Sequence, residues 1–298
     1  PGSANPLDSS GEVALMEGDF SQAAKLLQQA YEKDNTFNDG AALEKAALAQ
    51  YLMGERDAAG PLLERYLADR ARGGDPFAAI SRARWETIAG RTAQGRASLA
   101  AIASDPGSPV APVAAAMLAL RLAAEGNSTA AASAAASARA LARNPGQILI
   151  ATFAAAVLDS AAEPAMADAS WRADARALRL TLQGDWAAAA AAWKAALALA
   201  PGGSDAPQRE LLALCLVSAG RASEAASLVK SWPLLTRDQA LLSDFLIYPN
   251  LLFVRAEVDR AAGRAADSQR FYDLYLQHAG DRSDRFGHVA RARSAARL

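Results

Sequence analysis

The sequence predicts an all-α chain of antiparallel helix pairs stacked as a solenoid, and three observations predict it. First, glycines fall at Gly18, Gly54, Gly90 and Gly126, each 36 residues after the last; Gly184 and Gly220 repeat the interval, and Gly263 follows after 43. Second, small residues keep register with them. Seven places before each glycine stand Gly11, Ala47, Ala83, Ala119, Ala177, Ala213 and Ala256, and five places after it Ala23, Ala59, Gly95, Ala131, Ala189, Ala225 and Ser268. Third, the hydrophobic fraction of 52% is dominated by alanine, aromatics make up 6%, and no stretch alternates Val, Ile and Thr as a strand would.

Each element has a physical reason. Glycine adopts the left-handed backbone that ends a helix, so a glycine between two alanine-rich runs marks the elbow of a helical hairpin. Two helices approach closely only where neither carries bulk, and larger side chains beside the contact then fill the grooves. Those larger groups recur nine places after the elbow, at Leu27, Leu63, Leu99, Trp193, Val229 and Tyr272, with Ala135 the exception. A period of this length is the signature of a repeat protein whose units bury their faces against their neighbours.

The pattern resembles the tetratricopeptide repeat (TPR) family. The best unit runs from Trp171 to Pro201, with Ala177, Gly184, Trp186, Ala189, Trp193, Ala196 and Pro201 at family positions; Gly11, Gly18, Phe20, Ala23, Leu27 and Ala30 make the second. Other units are degenerate, with Arg56, Thr92, Ser128, Ala222 and Ala265 replacing the aromatic after the elbow. The resemblance implies a right-handed superhelix of about seven to eight hairpins.

The expected organisation is a start at 1–5 that is a disordered cloning scar, four hairpins over 6–145, a partial repeat at 146–170, three hairpins over 171–282, and a capping helix at 283–298. From Gly126 to Gly184 is 58, too little for two periods, so one helix over about 147–161 is expected there, either as a decayed repeat or as a hinge. Pro233 stops a helix, and Thr236 with Gln239 forms a capping box that starts an added one over 236–247. Tyr248 precedes Pro249 and is expected at a helix boundary. The last helix carries Arg285, Arg291, Arg293 and Arg297, read as a solvated outer face.

Composition excludes several functions. A net charge of -1 supplies no field for nucleic acid or an anionic membrane, so no nucleic-acid partner and no membrane insertion are expected. The lone Cys215 forms no intrachain disulfide and reads as a buried thiol. His278 and His288, ten apart, fit no common metal-ligand spacing and read as solvent-exposed. Carboxylates are scattered singly and no phosphate-binding glycine loop occurs, so neither catalysis nor a cofactor is expected. Five lysines against many arginines, beside the alanine excess, suggest a GC-rich bacterial genome. A soluble protein is expected, with the cytoplasm favoured over the periplasm.

Resemblance to TPR proteins implies that peptides or partner helices bind the first helices of successive pairs. Offsets from the elbow glycines place Glu44, Leu48, Tyr51, Arg84, Thr87, Asp174, Leu178, Thr181, Glu210, Leu214, Phe253, Glu257 and Arg260 there. The Lys and Asn set that clamps a peptide's terminal carboxylate in some family members is not visible. The implied role is a scaffold or adaptor for a protein or peptide partner, as the TPR portion of a larger regulator. The alternative is a module that self-associates, as a homodimer, through the apolar stretch around 232–253, with Phe245, Tyr248 and Leu251 at the interface.

Overall fold

The computed structural model describes residues 3–200, 205–234 and 241–296. All regular structure among these residues is helical. The chain forms two compact units, one of residues 1–81 with 230–234 and the other of 82–229 with 235–298.

In the first unit α1 (Asn5–Glu17), α2 (Phe20–Lys33), α3 (Ala41–Met53) and α4 (Arg56–Arg72) pack each on the next. Ala4 is buried and Asn5 opens α1. Residues 230–234 join this unit, where the Trp232 N–H donates to Met16 O at 2.8 Å and its ring meets Phe20 edge-on at 4.8 Å.

α5 (Ala78–Ile88) leads to the second unit's α6 (Thr92–Ala103), α7 (Ala111–Ala124) and α8 (Ser128–Leu141). A single helix α9 (Pro145–Leu158) and a 3-10 turn (Ser160–Ala165) stand where the repeat breaks, and α9 packs on α7, α8 and α10 (Ala169–Gln183). Then come α11 (Trp186–Leu199), α12 (Ala206–Ser218), one turn of α13 (Ala222–Ala225), α14 (Asp244–Ala261), α15 (Ala265–Gln277) and α16 (His288–Ala295).

The periodic residues explain the pairing. All seven elbow glycines have positive φ, between 74° and 89°. At Gly18, Gly126 and Gly184 the following residue caps the second helix: Asp19, Asn127 and Asp185 accept from backbone N–H groups three residues on at 3.1–3.2 Å. The small positions before and after each elbow are buried throughout, and a Cβ on Gly95 would come within 2.7 Å of the Ala83 carbonyl. Leu27, Leu63, Leu99, Trp193 and Tyr272 are core. Val229 is not helical, since α13 ends after a single turn.

Three expectations change. α14 runs through Pro249, with Tyr248 inside it: the proline forfeits one bond to the carbonyl four residues back, and burial of nearly the whole helix holds it together. Pro201, Thr236, Gln239 and Arg297 lie outside the described residues, and α14 begins only at Asp244. Both histidines are buried, His278 at 2% and His288 at 7% exposure. The arginines of the C-terminal segment are not simply solvated. Arg285 Nη1 donates to Ala123 O at 2.6 Å, capping α7, and Arg291 bonds Val217 O and Glu257.

Those arginines belong to a strap, residues 281–291, that visits one hairpin elbow after another in the second unit. Asp281 caps α6 by accepting from Thr92 N at 2.6 Å and Ala93 N at 3.1 Å, while its own N–H donates to Gly90 O. Phe286 packs edge-on against Trp186 at 5.0 Å. His288 Nε2 lies 3.0 Å from Ser218 Oγ at the end of α12. Free helix ends need partners for their unbonded N–H and C=O groups, and the strap supplies them.

Candidate functional site

A cavity of about 260 Å³ in the second unit is walled by α9, α10, α11, α12 and residues 241–243. α10 positions its floor. Asp168 caps that helix, accepting from Ser170 Oγ at 2.6 Å, Trp171 N at 3.2 Å and Ser170 N at 2.7 Å; the Ser170 hydroxyl first, then the two amides, hold its carboxyl below the usual carboxylate range. From this start, Trp171, Asp174 and Leu178 recur at helical spacing on one face. Phe153 of α9 meets the Trp171 ring edge-on at 5.3 Å. Trp193 of α11 closes the bottom, its Nε1–H donating to Thr181 Oγ1 at 2.9 Å.

One polar pair sits in this largely apolar wall. Gln208 Nε2 of α12 donates to Asp174 Oδ2 at 2.9 Å, which leaves Asp174 Oδ1 and Gln208 Oε1 buried without a donor. Burial pushes the Asp174 carboxyl up to about 6; nearby Asp168 adds to the rise and the Gln208 bond opposes it. The arrangement is two acceptor oxygens facing aromatic and aliphatic walls. It suits a segment that offers apolar side chains together with an N–H or cationic donor.

Of the residues placed by offset, Asp174 and Leu178 line this cavity. The others do different work. Glu44 is half-buried and Tyr51 buried, both in the first unit. Arg84, 3% exposed, pairs with Asp244. Thr87 Oγ1 donates to Ala83 O and accepts from Arg121. Thr181 is fully buried beneath Trp193, and its hydroxyl reaches Cys215 Sγ at 3.5 Å; burial pushes that thiol up to about 12.

Glu210 stands 36 after Asp174 yet turns inward to Arg255 at 3.3 Å; burial raises its pKa and Arg255 opposes the rise. Glu257 is fully buried, where burial alone would raise its pKa; bonds from Arg260, Tyr272 and Arg291 outweigh that and hold it low. Phe253 is fully buried, and Arg260 alone of these remains exposed. Of the expected apolar interface, Tyr248 and Leu251 are buried and Phe245 is half-buried.

Sequence reasoning missed Gln208, Ile150 and Phe153. Gln208 follows Asp174 by 34 residues, two short of the period, so offset alone selects Glu210 in its place. Ile150 and Phe153 come from the broken repeat, which has no elbow glycine to align on.

Among the described residues no cluster of metal-ligating side chains occurs, and no helix is long and apolar enough to cross a membrane. No curated protein matches the chain in sequence. A crystal structure of the P58(IPK) TPR domain aligns over 99% of this chain and 98% of that one, at 13% identity and a TM-score of 0.28, an overlay too loose to transfer any residue or partner. Residues 180–246, which contribute Trp193, Gln208 and Leu241 to the cavity, match the tetratricopeptide repeat family. The same elbows and small-residue contacts recur in the helix pairs on both sides of that segment, so the chain is an all-α repeat protein whose residues 180–246 match the tetratricopeptide repeat.

Proposed function

We propose that this scaffold holds a partner polypeptide by seating a segment of it in the cavity between α9, α10 and α12. The observation that carries the reading is the Asp174–Gln208 pair, two acceptor oxygens without donors set among Phe153, Trp171 and Leu178. An apolar or mixed segment fills the walls, and its N–H or amino group satisfies the oxygens. Trp171 is only half-buried, so its indole offers a face to a ligand without being part of the sealed core.

Selection of binding peptides from a random displayed library tests this. Peptides selected on the wild-type chain should bind Trp171→Ala at least about tenfold more weakly, a loss of about 1.4 kcal/mol, with helical content unchanged. Equal binding by both proteins would refute the placement.

A further inference from the structure

A second cavity, of about 70 Å³, lies in the second unit under the C-terminal strap, at the ends of α5 and α7 and beside α14 and α15. Its lining includes Arg121 of α7, which is 3% exposed. The guanidinium is held from one side only. Nη1 donates to Ala83 O at 3.2 Å and to Thr87 Oγ1 at 2.7 Å, while Nε and Nη2 have no acceptor. Nε–H and Nη2–H point the same way and form the fork that binds an oxyanion through two parallel hydrogen bonds.

A buried cation without a bonded anion is expensive, and none of the nearby carboxylates bonds it. Asp244 is paired with Arg84 through Oδ2, its Oδ1 without a donor; Glu86 accepts from Gln94 and Ser98, and Glu125 is paired with Arg96. Asp284 accepts from Val289 N and Ala290 N at the start of α16. Burial draws the Arg121 pKa down to about 10, with Asp244 opposing, so the group is still charged at neutral pH.

We propose that this cavity is a binding site for a small carboxylate, whose two oxygens dock on the Nε–Nη2 edge of Arg121. The volume and the other walls select the ligand. Leu246, Tyr275 and Phe286 line the same cavity with apolar surface that suits a short alkyl tail. Glu125 and Asp284 also line the cavity and, set against Arg121 and Arg282, leave no net positive charge to hold the second charge of a phosphate. The site is separate from the α9–α10–α12 cavity and shares no lining residue with it.

The test titrates the chain with formate, acetate and propionate at matched ionic strength, with chloride and phosphate as controls. The readouts are melting temperature and the 15N resonance of Arg121 Nε. Carboxylates should raise the melting temperature saturably and move that resonance, and chloride should do neither. Arg121→Lys keeps the charge but removes the fork, and should weaken binding at least about tenfold. Should that variant fail to fold, the wild-type resonance decides alone.

Short peptides with free and amidated C-termini separate the two sources of a carboxylate. Movement with the free-terminus peptide supports a partner's chain end as the source, and movement with acetate or propionate supports a free acid. An Arg121 Nε signal indifferent to every carboxylate, or one that responds to phosphate alone, overturns the proposal.

Discussion

The imidazole of His288 stacks on the ring of Phe253, with centroids 4.6 Å apart and planes inclined by 25°. Its Nε2 contacts Ser218 Oγ, and burial draws its pKa down to about 4, against an ordinary 6.5. Arg291 and Arg282 add to that shift, and Asp284 and Glu257 oppose it.

The folded state therefore binds this proton less readily than the unfolded chain. Stability from His288 is fully present above pH 6.5 and is lost as pH falls towards 4, by up to about 3 kcal/mol. Denaturant unfolding measured across this range should show the loss, and His288→Phe should remove that part of the slope. A variant with the wild-type slope would contradict the assignment.

Asp174 acts with the opposite sign. Its carboxyl is raised to about 6 in the folded state, so its neutral form is the favoured one, and its contribution falls as pH rises from the unfolded value near 4 to about 6. Asp174→Asn should stabilise the protein at neutral pH by about 1–2 kcal/mol, because an amide pairs with Gln208 at no ionisation cost. The windows of Asp174 and His288 overlap between pH 4 and 6. Removing either group should accordingly steepen the profile in the direction set by the other, which unfolding curves at several pH values will show.

Gly280 has φ +55, and a Cβ there would collide with the Gly90 carbonyl. Gly280→Ala should push the strap off the α5–α6 elbow and cost about 1–3 kcal/mol. Amide exchange should then rise at Thr92 and Ala93, whose N–H groups are capped by Asp281. Unchanged protection at those two amides would show that the strap contributes little to α6.

Glu210 and Arg255 form a buried pair, at 4% and 5% side-chain exposure. Glu210→Leu alone takes away the carboxylate that Arg255 bonds in the core and should cost about 3–5 kcal/mol. The double change with Arg255→Met should cost clearly less than the sum of the single changes. Additive losses in chemical denaturation would mean that the two groups do not depend on each other.

The candidate cavity was only half legible from the sequence. Asp174 and Leu178 follow from their offset to Gly184, because repeat offset sets helical face. The same arithmetic nominates Glu210, which turns inward to Arg255, and passes over Gln208. Offset fixes where a side chain starts; the neighbours of α12 decide that Gln208 meets Asp174 at the cavity while Glu210 meets Arg255 in the core.

What the residues determined alone is the hairpin series: glycines where the backbone must turn left-handed, and small residues where helices touch. Those constraints are local, acting within one period, and so they leave a periodic trace. Only the tertiary structure decided that both histidines are buried, that Arg84, Glu210 and Glu257 among the charged groove candidates are in core ion pairs, and that residues 281–291 cap elbows as far away as Thr92, 189 positions earlier. Such contacts join distant segments once each, so no repetition along the chain announces them.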